Sequence, residues 1–173
     1  WYNPSPEQIE WLLNKPLVGF NNRKYDNHIL YAALTASNNM ELYEASVRII
    51  GKSKNAFYAP AYSLAYADIL DFSNTKMSLK KWEVTLGLPY DELNFDWNEP
   101  LPEDDWARAA DYNRNDVEAT EEVFKYLYED YEARLMMAEL TDSPVSNSTN
   151  QLSAKFIFGN DKHPEDKLVY TDL

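Results

Sequence analysis

The chain has 173 residues, with 29 Asp and Glu against 16 Lys and Arg, for a formal net charge of −13. The length suits one domain with a packed core, and 45% hydrophobic with 14% aromatic residues excludes a disordered chain. The acidity disfavours a broad basic face for a nucleic-acid backbone; the lack of cysteine excludes disulfides and thiolate sites, leaving carboxylates as the plentiful metal ligands beside His28 and His163, a set that suits Mg²⁺ or Mn²⁺.

No apolar run approaches the length that crosses a membrane, and no basic-then-apolar leader opens the chain. A cytoplasmic protein with no membrane partner is therefore expected. The first residue is Trp1 rather than Met, which suggests a segment of a longer protein.

Pro4 and Pro6 lead into an amphipathic pattern over residues 7–13 with acid in its first turn, closed by Lys15-Pro16. Residues 17–20 are a brief apolar run that predicts a buried strand, stopped by Asn21-Asn22. From Tyr25 the spacing turns helical, with Ile29, Leu30, Ala33 and Leu34 inward, so Asp26 falls in the first turn of a helix directly after a strand. Such an acid can be a surface residue favoured by the helix dipole, and the carboxyl ends of strands are also where sites form in open α/β sheets. A second helix is predicted over residues 40–50, ending at Gly51.

Residues 52–62 read as loop. Residues 64–72 read as another inner strand containing Asp68 and Asp71, which are either site candidates or strand-end acids facing water. Residues 78–88 form an amphipathic pattern capped by Ser78 and stopped by Gly87 and Pro89, with Leu79, Trp82 and Leu86 inward, and Lys76, Lys80 and Lys81 are expected on a solvated face. A long acidic connection over residues 89–105 delivers the chain to a helix predicted over residues 106–135. After Leu140 a polar stretch, residues 141–150, reads as a linker or boundary. It divides the chain into a domain over 1–140 and a linker with the start of a following region over 141–173.

On the long helix, Tyr112 and Asp116 lie one turn apart on a stripe continued by Val117, Thr120, Val123, Phe124, Leu127 and Tyr131, all read as core positions. An ionised carboxylate that leaves water must be compensated, so Asp116 should meet a cation, a strong donor or a cleft. A slight rotation of the helix would instead leave it solvated.

The segment Gly19-Phe-Asn-Asn-Arg-Lys-Tyr-Asp26, with Asn22 followed by Tyr25-Asp26, resembles the second motif of the DEDD superfamily of 3′→5′ exonucleases. Tyr112-x-x-x-Asp116 resembles the third motif, in the branch that carries tyrosine. Both stand in the family's order over residues 11–135, and the likeness looks strongest to the proofreading exonuclease domain of family-A-like bacteriophage DNA polymerases. Residues 97–106 and 150–159 look phage-like as well.

The resemblance implies a ribonuclease H-like α/β fold and hydrolysis of DNA phosphodiesters by a two-metal-ion mechanism. Asp26 and Asp116 would be ligands to Mg²⁺ or Mn²⁺, Tyr112 would orient the attacking water, and Asn22 would position the motif or the terminal nucleotide. Phe20 and Tyr25 are expected in the core rather than as stacking residues. The implied partners are the 3′ end of single-stranded DNA and a polymerase, in the same chain or separate.

The family's first motif, Asp-x-Glu on an opening strand, supplies further metal ligands and should lie upstream of Trp11, where this sequence has none. The expectation is an exonuclease fold truncated at its N-terminus, inactive alone, whose parent protein is an active nuclease. One alternative is a catalytically degenerate exonuclease-fold scaffold or single-strand-binding module. Another is a related carboxylate nuclease acting on RNA, because these motifs do not read the sugar.

Overall fold

The computed structural model describes residues 3–96, 98–161 and 163–167, so Trp97 of the phage-like stretch lies outside the described residues. The chain is mixed α/β and mostly helical, with one two-stranded parallel sheet among the described residues. It groups into two compact units, Trp1–Phe72 with Tyr131–Leu173, and Ser73–Asp130.

In the first unit, helix α1 (Pro6–Leu13) starts on a reciprocal cap. Ser5 accepts the Gln8 N–H, the Gln8 side chain accepts the Ser5 N–H, and Pro6 occupies the first position, where no N–H is needed. Strand β1 (Leu17–Gly19) runs parallel to β2 (Tyr66–Asp68), with Leu17 opposite Tyr66 and Gly19 opposite Asp68. The predicted burial of β1 is corrected: Val18 is 46% exposed. Alternate strand residues point to opposite faces, and an apolar run cannot tell which of them is covered.

β2 is shorter than the predicted strand. After Asp68 the chain turns into a short helix, α4 (Ile69–Phe72), started by the Leu70 N–H donating to Asp68 Oδ1 at 3.0 Å. Asp71 therefore sits on a helix and not in a strand. Helix α2 (Asp26–Ala33) begins where expected, but its inward face is Asn27, His28 and Ala32, while Ile29, Leu30, Ala33 and Leu34 are half-buried. The short 3₁₀ turn Asn22–Lys24 before it sets that phase. Helix α3 (Asn39–Ile50) is capped by Asn38, which accepts the Glu41 N–H at 3.0 Å.

In the second unit, helix α5 (Leu79–Leu86) is capped by Ser78 and closed by Gly87, whose φ of 67° is the left-handed conformation that glycine adopts without a Cβ clash. Trp82 is buried, and so is Glu83 beside it. Helix α6 (Trp106–Tyr126) ends at Leu127, and α7 (Tyr128–Leu140) follows, so the single helix predicted over 106–135 is two. No proline or glycine marks the break, which hides it from periodicity.

The predicted stripe on α6 is also corrected. Val117 is 61% exposed, whereas Ala119, Val123 and Leu127 are buried, with Tyr112, Asp116 and Thr120 half-buried beside them. Beyond α7, Thr141 and Ser146 are buried, and α8 (Thr149–Phe158) starts on a second reciprocal cap between Ser148 and Gln151. Among the described residues no helix is long and apolar enough to cross a membrane.

Candidate functional site

The turn between β1 and α2 depends on Gly19. A Cβ there would lie 2.7 Å from the Cβ of Asn22, so a larger residue would push the turn off the strand end. Asn21 takes a left-handed φ of 61°, which asparagine tolerates. The turn is then fixed by Asp68, which is 3% exposed. Its Oδ1 accepts the N–H of Asn21 at 2.8 Å and of Leu70 at 3.0 Å, and its Oδ2 accepts the Arg23 N–H at 3.0 Å. Asp68 is thus no strand-end acid facing water. Burial pushes its carboxyl above the usual range against the pull of these donors.

Asp26 opens α2 with its surface accessible to solvent, but surrounding protein strips enough water from the carboxyl to raise its pKa, and the charge of Asp68 adds to the rise. Among the described residues it carries no ion pair. Asn22 is 4% exposed, and its Oδ1 is buried without a hydrogen-bond partner among the described residues. Tyr25 is half-buried with its hydroxyl 2.8 Å from Ser46 Oγ, which ties the start of α2 to α3. His28 is fully buried, with Nδ1 accepting the Tyr58 N–H at 3.1 Å and its ring edge-on to Phe57 and Tyr62. Burial holds its pKa below the ordinary value.

Tyr112 and Asp116 belong to the second unit, on α6. The cation that Asp116 was expected to need is Lys80 of α5, whose Nζ lies 2.7 Å from Asp116 Oδ1 and 3.3 Å from Glu83 Oε1. The same ammonium stands 4.4 Å from the centre of the Tyr112 ring, within cation–π range. Asn115 Nδ2 donates to Glu83 Oε1 at 3.4 Å and to the Pro89 carbonyl at 3.3 Å. Glu83 is 0% exposed, and its Oε2 has no partner among the described residues.

Lys80 therefore does not lie on a solvated face as the sequence predicted. Partial burial opposes its charge, but the Asp116 bond and charge outweigh that and hold the ammonium protonated well above the usual lysine range. The three-residue spacing of Lys80 and Glu83 on one helix was the one local sign of this cluster.

Asn22 and Asp26 thus stand with Asp68 in the first unit, and Tyr112 and Asp116 with Lys80 and Glu83 in the second. Among the described residues, no group of three or more His, Asp or Glu is placed to hold a metal ion. Both oxygens of Asp68 accept from backbone N–H groups and one oxygen of Asp116 accepts from Lys80, while Asp26 has no ion pair among the described residues. These carboxylates do not fit a two-metal centre by themselves. A divalent ion would need further oxygens beside Asp26, and at Asp116 it would compete with Lys80. Compared with protein-family models, curated proteins and solved structures, the chain matches none.

Proposed function

We propose that this chain carries the second-motif and third-motif parts of a 3′→5′ exonuclease of ribonuclease H-like fold, which trims the 3′ end of single-stranded DNA beside a polymerase in the cytoplasm of a bacterial host. The observation that most supports this is the setting of Asp26. It is a solvent-accessible carboxylate of raised proton affinity that opens α2, just after a parallel strand and a turn whose N–H groups Asp68 holds. Substrate sites of open α/β sheets lie at such strand ends.

Mg²⁺ or Mn²⁺ supplies charge neutralisation in reactions of this class. Such an ion would need oxygen ligands beyond Asp26 and Asp116. What this chain contributes is the placement of Asp26 and Asn22 on the turn, and of the Tyr112 phenol and Asp116 on α6.

Steady-state turnover of single-stranded DNA by the parent protein tests the proposal. Asp26→Asn and Asp116→Asn each lower kcat by about a thousandfold or more, roughly 4 kcal/mol of transition-state stabilisation, with the DNA Kd changed by less than about threefold. Undiminished turnover in either variant ends the reading. One observation favours a second reading, a degenerate scaffold or single-strand-binding module: the chain itself neutralises Asp116 through Lys80. A parent protein that binds single strands but does not cleave them would select it.

A further inference from the structure

The polar segment after α7 is joined to the Asp26 turn by side chains that the proposed reaction does not use. Arg134 on α7 is 5% exposed. It donates from Nε to the Val145 carbonyl at 2.9 Å, from one terminal nitrogen to Thr149 Oγ1 at 3.2 Å, and from the other to the Asn147 carbonyl. Thr149 Oγ1 donates to the Asp71 carbonyl at 2.6 Å. Arg23, on the turn itself, donates from Nε to Asp71 Oδ2 at 2.5 Å and from a terminal nitrogen to the Ser146 carbonyl.

Asp71 Oδ2 also lies 4.0 Å from a terminal nitrogen of Arg134, so one carboxylate serves two guanidinium groups. The backbone N–H of Arg23 is meanwhile one of the three donors to Asp68. A continuous series of polar contacts therefore runs from residues 145–149 through Asp71 and Arg23 to the turn that carries Asn22 and Asp26.

A network of this kind breaks as a whole more readily than in parts. Each guanidinium bridges segments far apart in sequence, and losing one bridge leaves a shielded charge or carbonyl without its partner. Arg134 is the extreme case. Burial disfavours its charge, and Asp71 is the acid that compensates most.

We propose that residues 145–149 and the turn 21–25 form one cooperative unit clasped by Arg23, Asp71 and Arg134, so that release of the segment after α7 releases the Asp26 turn. The consequence for DNA cleavage rests on the exonuclease reading, whereas the clasp does not.

Native-state hydrogen exchange on the whole chain tests the clasp. The amides of Asn21 and Arg23, bonded to Asp68, and those of Asn147 and Leu152, bonded to the carbonyls of Pro144 and Ser148, should open with one common free energy. Arg134→Met should speed both sets by the same factor, about tenfold or more. Thr149→Val should speed both by a smaller common factor, and it keeps the test available where Arg134→Met does not fold. Faster exchange at Asn147 and Leu152 with unchanged rates at Asn21 and Arg23 overturns the clasp. An equal rise at Ile9 on α1 also overturns it, because that marks global unfolding. Exchange does not depend on nuclease activity, so failure of the clasp and failure of the exonuclease reading are distinguishable.

Discussion

Asp68 in the first unit and Asp116 in the second are both carboxylates drawn out of water beside candidate site residues, and the chain compensates them differently. Asp68 is held by three main-chain N–H groups from the turn after β1 and the start of α4. Asp116 is held by one flexible side chain, Lys80. Backbone donors cannot leave without unfolding the turn, so Asp68 is a permanent part of the scaffold. A lysine can swing away, so the state of Asp116 is open to exchange with another cation. Among the described residues Asp26 has no ion pair, and its carboxyl takes a hydrogen bond only from its own backbone N–H, which makes it the most open carboxylate of the set.

The largest effect that sharpens this contrast is expected at Asp68. Asp68→Ala leaves three N–H groups short of a partner and should lower the unfolding free energy in urea by roughly 3 kcal/mol or more. A loss below about 1 kcal/mol would mean that water replaces the carboxylate and that the turn does not depend on it.

Lys80→Met should cost about 2 kcal/mol, because it strands Asp116 and Glu83 without their cation. Adding Asp116→Leu should recover at least about half of that loss, as expected when the cost is an uncompensated charge rather than lost packing. No recovery in the double variant would assign the loss to packing of the lysine stem.

A smaller effect appears with pH. Burial lowers the pKa of His28 below its ordinary 6.5, so the unfolded chain takes up this proton first as pH falls. The contribution of neutral His28 is fully present above 6.5 and is lost on acidification below it, by up to about 1.4 kcal/mol per pH unit until the folded group titrates. The raised carboxyls of Asp26 and Asp68 act in the opposite sense, since the folded chain binds their protons more tightly. Comparing Tm against pH with His28→Gln isolates the histidine: the decline just below 6.5 should flatten in the variant, and an unchanged slope would contradict the assignment. The smallest effect is expected at Val117, where Val117→Lys should change stability by less than about 0.5 kcal/mol because the side chain faces solvent.

What the sequence revealed was local. The Ser78 cap, the Gly87 stop and the place of Asp26 just past a strand each depend on a few neighbouring residues, and all three stand where they were read. The partner of Asp116 lies 36 residues away on another helix, so periodicity could demand a cation there without naming Lys80. Asp68 is harder still, because two of its three partners are main-chain groups 45 and 47 residues upstream, which carry no side-chain signature. The run over residues 64–72 hid a strand followed by a helical turn, since a short apolar stretch fits both. Val117 faces solvent because the apolar stripe on α6 is narrow, and a small shift in helix phase moves one member to the outside.

The claim that Asp26 belongs to a 3′→5′ exonuclease is tested most directly by product length. A single-stranded oligonucleotide labelled at its 5′ end is incubated with the parent protein and Mg²⁺, and the fragments are resolved one nucleotide at a time. The expected result is a ladder that shortens stepwise from the 3′ end and is lost in Asp26→Asn. No shortening by the parent protein, removal of the label from the 5′ end, or the same ladder from Asp26→Asn would contradict it.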